Sequence, residues 1–446
     1  MTLRHPLVPL STLRWTPELV AILLVYFVQG AIGISRLAVS FFLKDDLGLD
    51  PAQVAAMTGV AVIPWTIKPL YGWLSDQVPW RGYRRRPYLI LAGGLGSLAW
   101  LAMALWVQDA VQAMVAMVAG SMAIAVADVV VDSLVVERSR DQDWAGTSYL
   151  QSLSWGVTAL GSLMTAYWGG SLLQWASPRW VFGLAACLPL VVIAAAFGIQ
   201  EIPKPSQQRS SSSWTELTTL WQTLRQPHVL LPVAFVFLWQ ATPSSEAAFF
   251  YFVTDDLGFG AEFLGRVRLV TSVASLVGVY CFQRYLKHLP LRPLFLAITL
   301  VSTALGMTSL ILVEHWNRIW GISDQWFSLG DSLILTVAGQ IAFMPILVLA
   351  ARLCPPGIEA TFFALLMSIF NLAGALSHEL GAGLMHLLGV TEHQFQALPL
   401  LVIITNLSSL LPLPFLHWLP STTSPAAESD PMPEPFSQPS VSSPEG

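Results

Sequence analysis

The chain has 446 residues but little charge: Asp, Glu, Lys and Arg make up 11% of it, under half the roughly 25% usual in soluble domains. So few charged groups cannot clothe a soluble protein of this length, which excludes the two or three soluble domains that length alone suggests. Cysteine is nearly absent, at 3 residues, and this excludes a secreted scaffold held by disulfides. Cys187, Cys281 and Cys354 lie within or at the ends of apolar runs and read as small buried hydrophobes. No excess of positive charge exists either: 22 Lys and Arg face 27 Asp and Glu, for a formal net charge of −5. Binding to nucleic acid is therefore not expected. No His/Cys grouping has metal-ligand spacing, so neither metal nor cofactor is expected. Apolar residues are what the chain has in abundance, with 54% from the AVILMFWYC set and a mean hydropathy of +0.61. This is the composition of an integral membrane protein that crosses the bilayer many times.

A spanning helix needs about 20 mostly apolar residues. Twelve segments qualify: 18–43, 52–75, 87–107, 111–136, 147–173, 180–199, 229–254, 262–285, 291–313, 331–353, 361–388 and 396–418. Long continuous runs such as Leu89 to Val107 exclude a barrel of short alternating strands. The first run has no small-residue cleavage site and is expected to stay as a helix. Loop charge sets the orientation. With a cytoplasmic N-terminus, the inner segments hold Arg4, Arg14, Arg81, Arg84, Arg85, Arg86, Arg138, Arg140, Lys204, Arg209, Arg225, Arg284, Lys287, Arg292 and Arg352. The outer loops and helix ends hold only Lys44, Arg179, Arg266, Arg268 and Arg318. Both termini are thus expected to be cytoplasmic. Trp15, Trp80, Trp106, Trp144, Trp316 and Trp320 sit at helix ends, as an interfacial belt requires.

The chain repeats itself. Asp45-Asp46-Leu47-Gly48 recurs 210 residues later as Asp255-Asp256-Leu257-Gly258, each copy after aromatics (Phe41-Phe42; Tyr251-Phe252). At an offset of 214, Arg138 matches Arg352, Thr147 Thr361, Ser154 Ser368 and Gly169 Gly383. The fold expected is all-α, with twelve transmembrane helices as two parallel six-helix repeats about an axis along the membrane normal. The domains are a first bundle at 1–199, a cytoplasmic linker at 200–228, a second bundle at 229–418 and a tail at 419–446. In the linker, Trp214, Leu217, Trp221 and Leu224 follow a Ser-rich run, a spacing that suggests a short amphipathic surface helix. The tail, rich in Pro, Ser and Glu, is expected to be disordered.

Between the second and third helices stand Gly72-Trp73-Leu74-Ser75-Asp76 and Gly82-Tyr83-Arg84-Arg85-Arg86-Pro87. This resembles the Gly-x-x-x-Asp…Arg/Lys-rich signature of the major facilitator superfamily. Gly72 allows close helix approach, and Asp76 at a helix end can pair with an Arg or cap a neighbouring helix. Gly72, Asp76, Arg84, Arg85, Arg86 and Arg138 form a candidate conformational latch; the alternative is that the Arg run only sets topology. Ile67-Lys68-Pro69-Leu70-Tyr71-Gly72, Asp128-Val129-Val130-Val131-Asp132-Ser133 with Glu137-Arg138, and Pro243-Ser244-Ser245 with Tyr251 and Asp256-Leu257-Gly258 narrow the likeness. Over residues from about 20 to 390 the chain resembles the folate–biopterin transporter family. It departs at Leu286, the second-half equivalent of Asp76, so any latch rests mainly on the first half. The resemblance implies uptake of folates or related pterins, usually coupled to protons.

Charges inside the bilayer cost several kcal/mol unless paired or hydrated, so each is a functional candidate. Arg36, Lys68, Asp128, Asp132, Glu246, His378 and Glu379 fall within expected helices. Arg36 and Glu246 occupy equivalent repeat positions, which predicts that they face each other across a central cavity and pair when the outer ends close, unless each finds a partner in its own half. Asp128 and Asp132, four apart, share one helix face. Asp128 is a candidate proton carrier or a partner of Lys68. Asp132 is a second proton-coupling candidate, or part of the latch. His378 is a candidate substrate contact or a packing residue. Gln151, Trp155, Gln340 and Asn371 are candidate cavity residues, and Trp155 or Phe249 offers a face to an aromatic ring.

No Gly-x-x-x-x-Gly-Lys run powers the chain by its own nucleotide hydrolysis. The expected function is secondary transport of a folate or pterin by alternating access, with protons and the lipid bilayer as the other partners and the monomer as the working unit. A pterin ring presents adjacent N–H donors to a carboxylate, and the glutamate tail of folate needs Arg or Lys; a cavity with Arg36, Lys68, Asp128 and Glu246 offers both, which makes all four candidate substrate contacts. The alternatives are a facilitator of a sugar or drug, and a membrane enzyme or scaffold. Against the last stands the lack of a nucleophile-and-base constellation, so no catalytic residue is expected. Without a transit peptide, a bacterial inner membrane is the expected location.

Overall fold

The computed structural model describes residues 15–139, 144–201, 218, 221–286, 289–353 and 359–420. Nearly all of the expected tail, from 421 on, and most of the linker lie outside the described residues; of the linker's expected amphipathic helix, Thr218 and a turn at 221–224 are described.

Chain chemistry sets the helix boundaries. The first helix, α1 (Pro17–Asp46), starts at Thr16, whose hydroxyl accepts from the Leu19 N–H at 3.2 Å, with Pro17 in the first turn, where its missing N–H costs nothing. Helix α2 starts at a capping box between Asp50 and Gln53. It runs as Pro51–Thr66 and Lys68–Gln77, broken at Ile67 just ahead of Pro69. Then follow α3 (Arg86–Leu105), α4 (Ala110–Ser139), α5 (Trp144–Trp175) and α6 (Pro178–Ala196). The second half holds α7 (Pro227–Gln240 and Glu246–Tyr251), α8 (Ala261–Cys281), α9 (Leu291–Gly306, then Ser309–Val313), α10 (Asp324–Leu353), α11 (Glu359–Leu388) and α12 (Leu398–Ser408 with a 3₁₀ end, Leu413–Trp418). Among the described residues, ten helices are long and apolar enough to cross a membrane. The other two of the twelve expected segments, α5 and α7, are also helical.

The seventh segment corrects the expectation of one unbroken helix at 229–254. Thr242-Pro243-Ser244-Ser245 interrupts it. Pro243 lacks an N–H, and Ser and Thr side chains compete for backbone groups. Partners from α11 compensate: the Ser244 N–H donates to the Ser377 carbonyl (3.1 Å), and the Ser377 hydroxyl donates to the Thr242 carbonyl (2.5 Å). Helix α1 has a milder interruption 210 residues earlier, a 3₁₀ turn at Ile32–Ile34.

The sequence repeat is also a backbone repeat. Phe42–Asp46 and Phe252–Asp256 both form π turns. In the first, the Leu47 and Leu49 N–H groups donate to Phe42 and Leu43; in the second, Leu257 and Phe259 donate to Phe252 and Val253. Gly48 and Gly258 follow at φ 63° and 67°, a left-handed conformation that glycine adopts without strain. Ser154 and Ser368 are both buried. Cys187, by contrast, is exposed rather than buried.

The halves meet at the end carrying these two loops. There Lys44 Nζ bridges Asp255 (2.5 Å) and Asp45 (2.8 Å), and the Tyr251 hydroxyl donates to the Leu49 carbonyl. Gln174 on α5 donates to Glu262 on α8, and Phe41 packs edge-on against Phe250 with centroids 5.4 Å apart. The first segment of α2 lies along α11, and the Asn371 amide donates to the Trp65 carbonyl at 3.4 Å. Among the described residues, no hydrogen bond or ion pair joins the halves beyond this level toward the opposite end.

Candidate functional site

The break in α2 places Lys68 at the start of a helix segment facing α4. Its ammonium pairs with Asp128 and lies over the Trp65 ring, 4.3 Å from the centroid. Both side chains of the pair are 14% exposed. One turn further along α4, Asp132 accepts a 2.5 Å hydrogen bond from the buried Tyr26 hydroxyl of α1, and it lies within electrostatic reach of Asp128 and Lys68. Four polar groups from three helices thus form one network: a compensated ion pair beside a second carboxylate that is exposed. Such a network can accept a proton without assembling new partners.

A second cluster joins the two halves. Arg36 on α1 and Glu246, the first residue of the second segment of α7, are both exposed. They do not form the ion pair that their repeat positions predict, although the ends are closed. Both instead act electrostatically on Arg268 of α8. The loop-charge reading placed Arg268 at an outer helix end; it stands seven residues into a helix that starts at Ala261, about 10 Å deep at 1.5 Å per residue. Arg266, its neighbour in that count, pairs with Glu262 and is exposed. Among the described residues, the Arg36, Arg268 and Glu246 side chains have no hydrogen bond or ion pair.

Trp155 is 75% exposed. His378 and the Glu379 carboxylate pack against Gly59 where α11 meets α2. Asn371 reaches Trp65 at the same interface. Gln340 packs against Gly278 of α8, and Phe249 against Phe252 with centroids 6.0 Å apart. Gln151 lies outside the described side chains.

The latch candidates Asp76 and Arg138 also lie outside the described side chains. Of the rest, Gly72 faces Val129 of α4, and the buried Arg85 donates to the Ser75 hydroxyl at 2.8 Å. Arg86 covers the Phe197 ring at 4.5 Å. An unforeseen residue organises this corner. The Glu201 carboxylate accepts from the Arg84, Arg85 and Arg86 N–H groups, the last two at 3.1 and 3.2 Å. An anion there satisfies the free donors at the start of α3 and its positive dipole end. Nothing in the local sequence marks Glu201, because the contact spans 115 to 117 residues.

Among the described residues, no three His, Cys, Asp or Glu come together as metal ligands. The site combines a paired network within the first half with unpaired charges from both halves, all at membrane depth, an arrangement suited to binding and release.

Comparison with known proteins agrees. Residues 29–431 match the BT1 family. The chain is 57% identical over 404 residues, 91% of its length and 82% of the relative's, to a protein named folate-biopterin transporter from Synechocystis sp.. It is 34% identical over 419 residues to probable folate-biopterin transporter 2 of Arabidopsis thaliana, covering 92% and 84% of the two chains. Among solved structures it is similar to the nucleoside transporter NupG (TM-score 0.69, 15% identity, 90% of this chain and 98% of that one). It is also similar to a D-xylose-proton symporter (TM-score 0.68, 14% identity, 91% and 98%). At these identities the structural likeness is one of fold, the major facilitator superfamily fold. The chain is a multi-pass integral membrane transporter, not an enzyme, and it belongs to the BT1 family.

Proposed function

We propose that this protein carries folates or related pterins by alternating access, driven by protons. The observation that carries the reading is the cluster of uncompensated charges contributed by both halves at membrane depth, with contacts between the halves sealing one side of it. Arg36 offers a guanidinium to a substrate carboxylate, and Glu246 offers an acceptor pair to the N–H donors of a pterin ring. Trp155 and Phe249 supply stacking faces, and Gln151 and His378 complete the proposed substrate contacts. The names carried by the relatives at 57% and 34% identity support the same substrate class.

In this reading, residues 1–199 and 229–418 are the rocking halves, 200–228 their linker and 419–446 a cytoplasmic tail. The Lys/Arg bias puts both termini in the cytoplasm. The sealed end is then the outer one, and the conformation is inward-open. The Lys68–Asp128–Asp132–Tyr26 network is the proton-responsive element. The latch around Asp76 forms when the inner ends approach. One chain holds both clusters, so a single copy suffices.

The test is uptake of radiolabelled folic acid by a folate-requiring bacterial host expressing the chain. Saturable uptake above the empty host, enhanced by an inward proton gradient and not competed by D-xylose, is expected. Membrane-inserted protein that gives no uptake of folic acid or of biopterin would remove the proposal.

A further inference from the structure

The packing of α5 carries the second cluster further than the repeat alone does. Adjacent glycines on α5 touch different halves of the protein. A Cβ on Gly169 would stand 3.0 Å from the Ile34 carbonyl of α1, and one on Gly170 would stand 2.6 Å from the Gly265 Cα of α8. Helices α1 and α8 are thus held on one turn of a single helix. Arg36 lies two residues beyond Ile34, and Arg268 three residues beyond Gly265. At 1.5 Å per residue the two arginines leave their helices within about 8 Å of each other along the axis. Glu246 matches Arg36 in depth, since each stands ten residues before the end of its π turn at Asp46 or Asp256. Two guanidiniums and one carboxylate leave the cluster with one positive charge in excess. Among the described residues no ion pair or hydrogen bond compensates it, and an uncompensated charge at this depth is costly.

We infer that Arg268 is a specificity-determining residue which, with Arg36, forms a two-guanidinium site for the carboxylates of the substrate's tail. The site therefore favours anionic pterin conjugates over uncharged pterins. This rests on the proposed function and deepens it. Guanidiniums on different halves bind one anionic tail from both sides, and each can donate a pair of hydrogen bonds to a carboxylate. An uncharged pterin supplies no counter-charge and leaves both arginines unpaired. Gly169 and Gly170 hold the arginines at this spacing only while the sealed end is closed. Opening that end moves α8 away from α5 and separates the two halves of the site.

The experiment compares uptake of folic acid and of biopterin by the full-length protein and by Arg268→Gln and Arg268→Lys, with membrane levels measured for each. Wild type is expected to prefer folic acid. Arg268→Gln is expected to raise the KM for folic acid by about tenfold or more while leaving that for biopterin within about twofold, and Arg268→Lys to recover part of the loss. If folic acid uptake by Arg268→Gln is unchanged, Arg268 does not meet the tail. Equal losses for both substrates at normal membrane levels assign it a structural role instead. Either result overturns this inference and leaves pterin transport standing. A wild type that carries neither substrate removes the proposed function, and the inference with it.

Discussion

Lys68 and Asp128 neutralise each other inside the bilayer, and each depends on the other to stay charged there. Breaking such a pair costs about 3–5 kcal/mol, more than removing both charges, because the surviving partner is left buried and alone. Lys68→Met is therefore expected to lower the thermal stability of the purified protein more than the double change Lys68→Met with Asp128→Asn does. A double variant less stable than the single would show that the pair is not the dominant interaction. The same residue serves the coupling test. Asp128→Asn keeps the shape and cannot carry the proton, so it is expected to reduce accumulation driven by a pH gradient more than exchange of substrate across the membrane. If accumulation follows the gradient as in wild type, the carrier is elsewhere, with Asp132 and its Tyr26 donor first to examine, then Glu246 and Glu379. At this scale the charges were legible, and Lys68 was one of the readings for Asp128, which the structure bears out; the partner of Asp132 was not. Asp128 and Asp132 stand out in an apolar helix, whereas Tyr26 gives no signal, since its partner lies 106 residues away. Arg268 was visible but counted with the outer helix end, although the expected segment 262–285 already put it six residues in; its nearness to Arg36 and Glu246 on other helices has no trace in the local sequence.

At the scale of helices, glycine contacts divide into two kinds. Gly30 and Gly161 join α1 to α5 within one half; a Cβ on Gly161 would lie 2.6 Å from the Phe27 carbonyl. Gly170 and Gly265 join α5 to α8 across the halves. In the proposed rocking motion the first contact persists and the second opens. Gly161→Leu is expected to destabilise the protein itself, by about 1–3 kcal/mol for an overpacked contact, and to reduce the folded yield in size-exclusion chromatography. Gly170→Leu is expected to give normal folded yield but little uptake, because the sealed end no longer closes. Equal yields for the two variants would refute this division. The helix positions were readable from apolar runs of about 20 residues. The break in α7 was not, because Pro243 sits in a run otherwise apolar enough to span, and its compensating partner Ser377 belongs to another helix.

At the sealed end of the molecule, one lysine is shared between the repeats, beside the Tyr251, Gln174 and Phe41 contacts. Lys44 has no basic counterpart, since Thr254 stands 210 residues later, and it bridges the matched residues Asp45 and Asp255. In a background lacking Cys187, Cys281 and Cys354, a short flexible crosslinker between Lys44→Cys and Asp255→Cys is expected to abolish uptake, with a cleavable linker restoring it. Full uptake by the crosslinked protein would mean that this end does not open during transport. At the opposite end, Asp76→Asn is expected to slow transport while leaving membrane insertion intact, since the apolar content of the helices is unchanged. Transport at the normal rate would remove the latch.

The sequence by itself determined the helical membrane class, the positions of most helices, the twofold repeat and the residue types available for a charged site. These follow from local composition and from spacing along the chain, and both are fully present in one dimension. Tertiary structure alone decided which charges pair. Lys68 is claimed by Asp128, and Asp132 by Tyr26, while Arg36 and Glu246 are left apart with Arg268 between their fields. Ion pairing depends on distances of a few ångströms between side chains on different helices, and those distances are set by glycine contacts, helix breaks and the closure of one end, whose partners lie on other helices and so cannot be read along the chain. The repeat predicted equal depth for Arg36 and Glu246. Equal depth fixes only one coordinate of three, and the rotation of α1 and α7 about their own axes supplies the others.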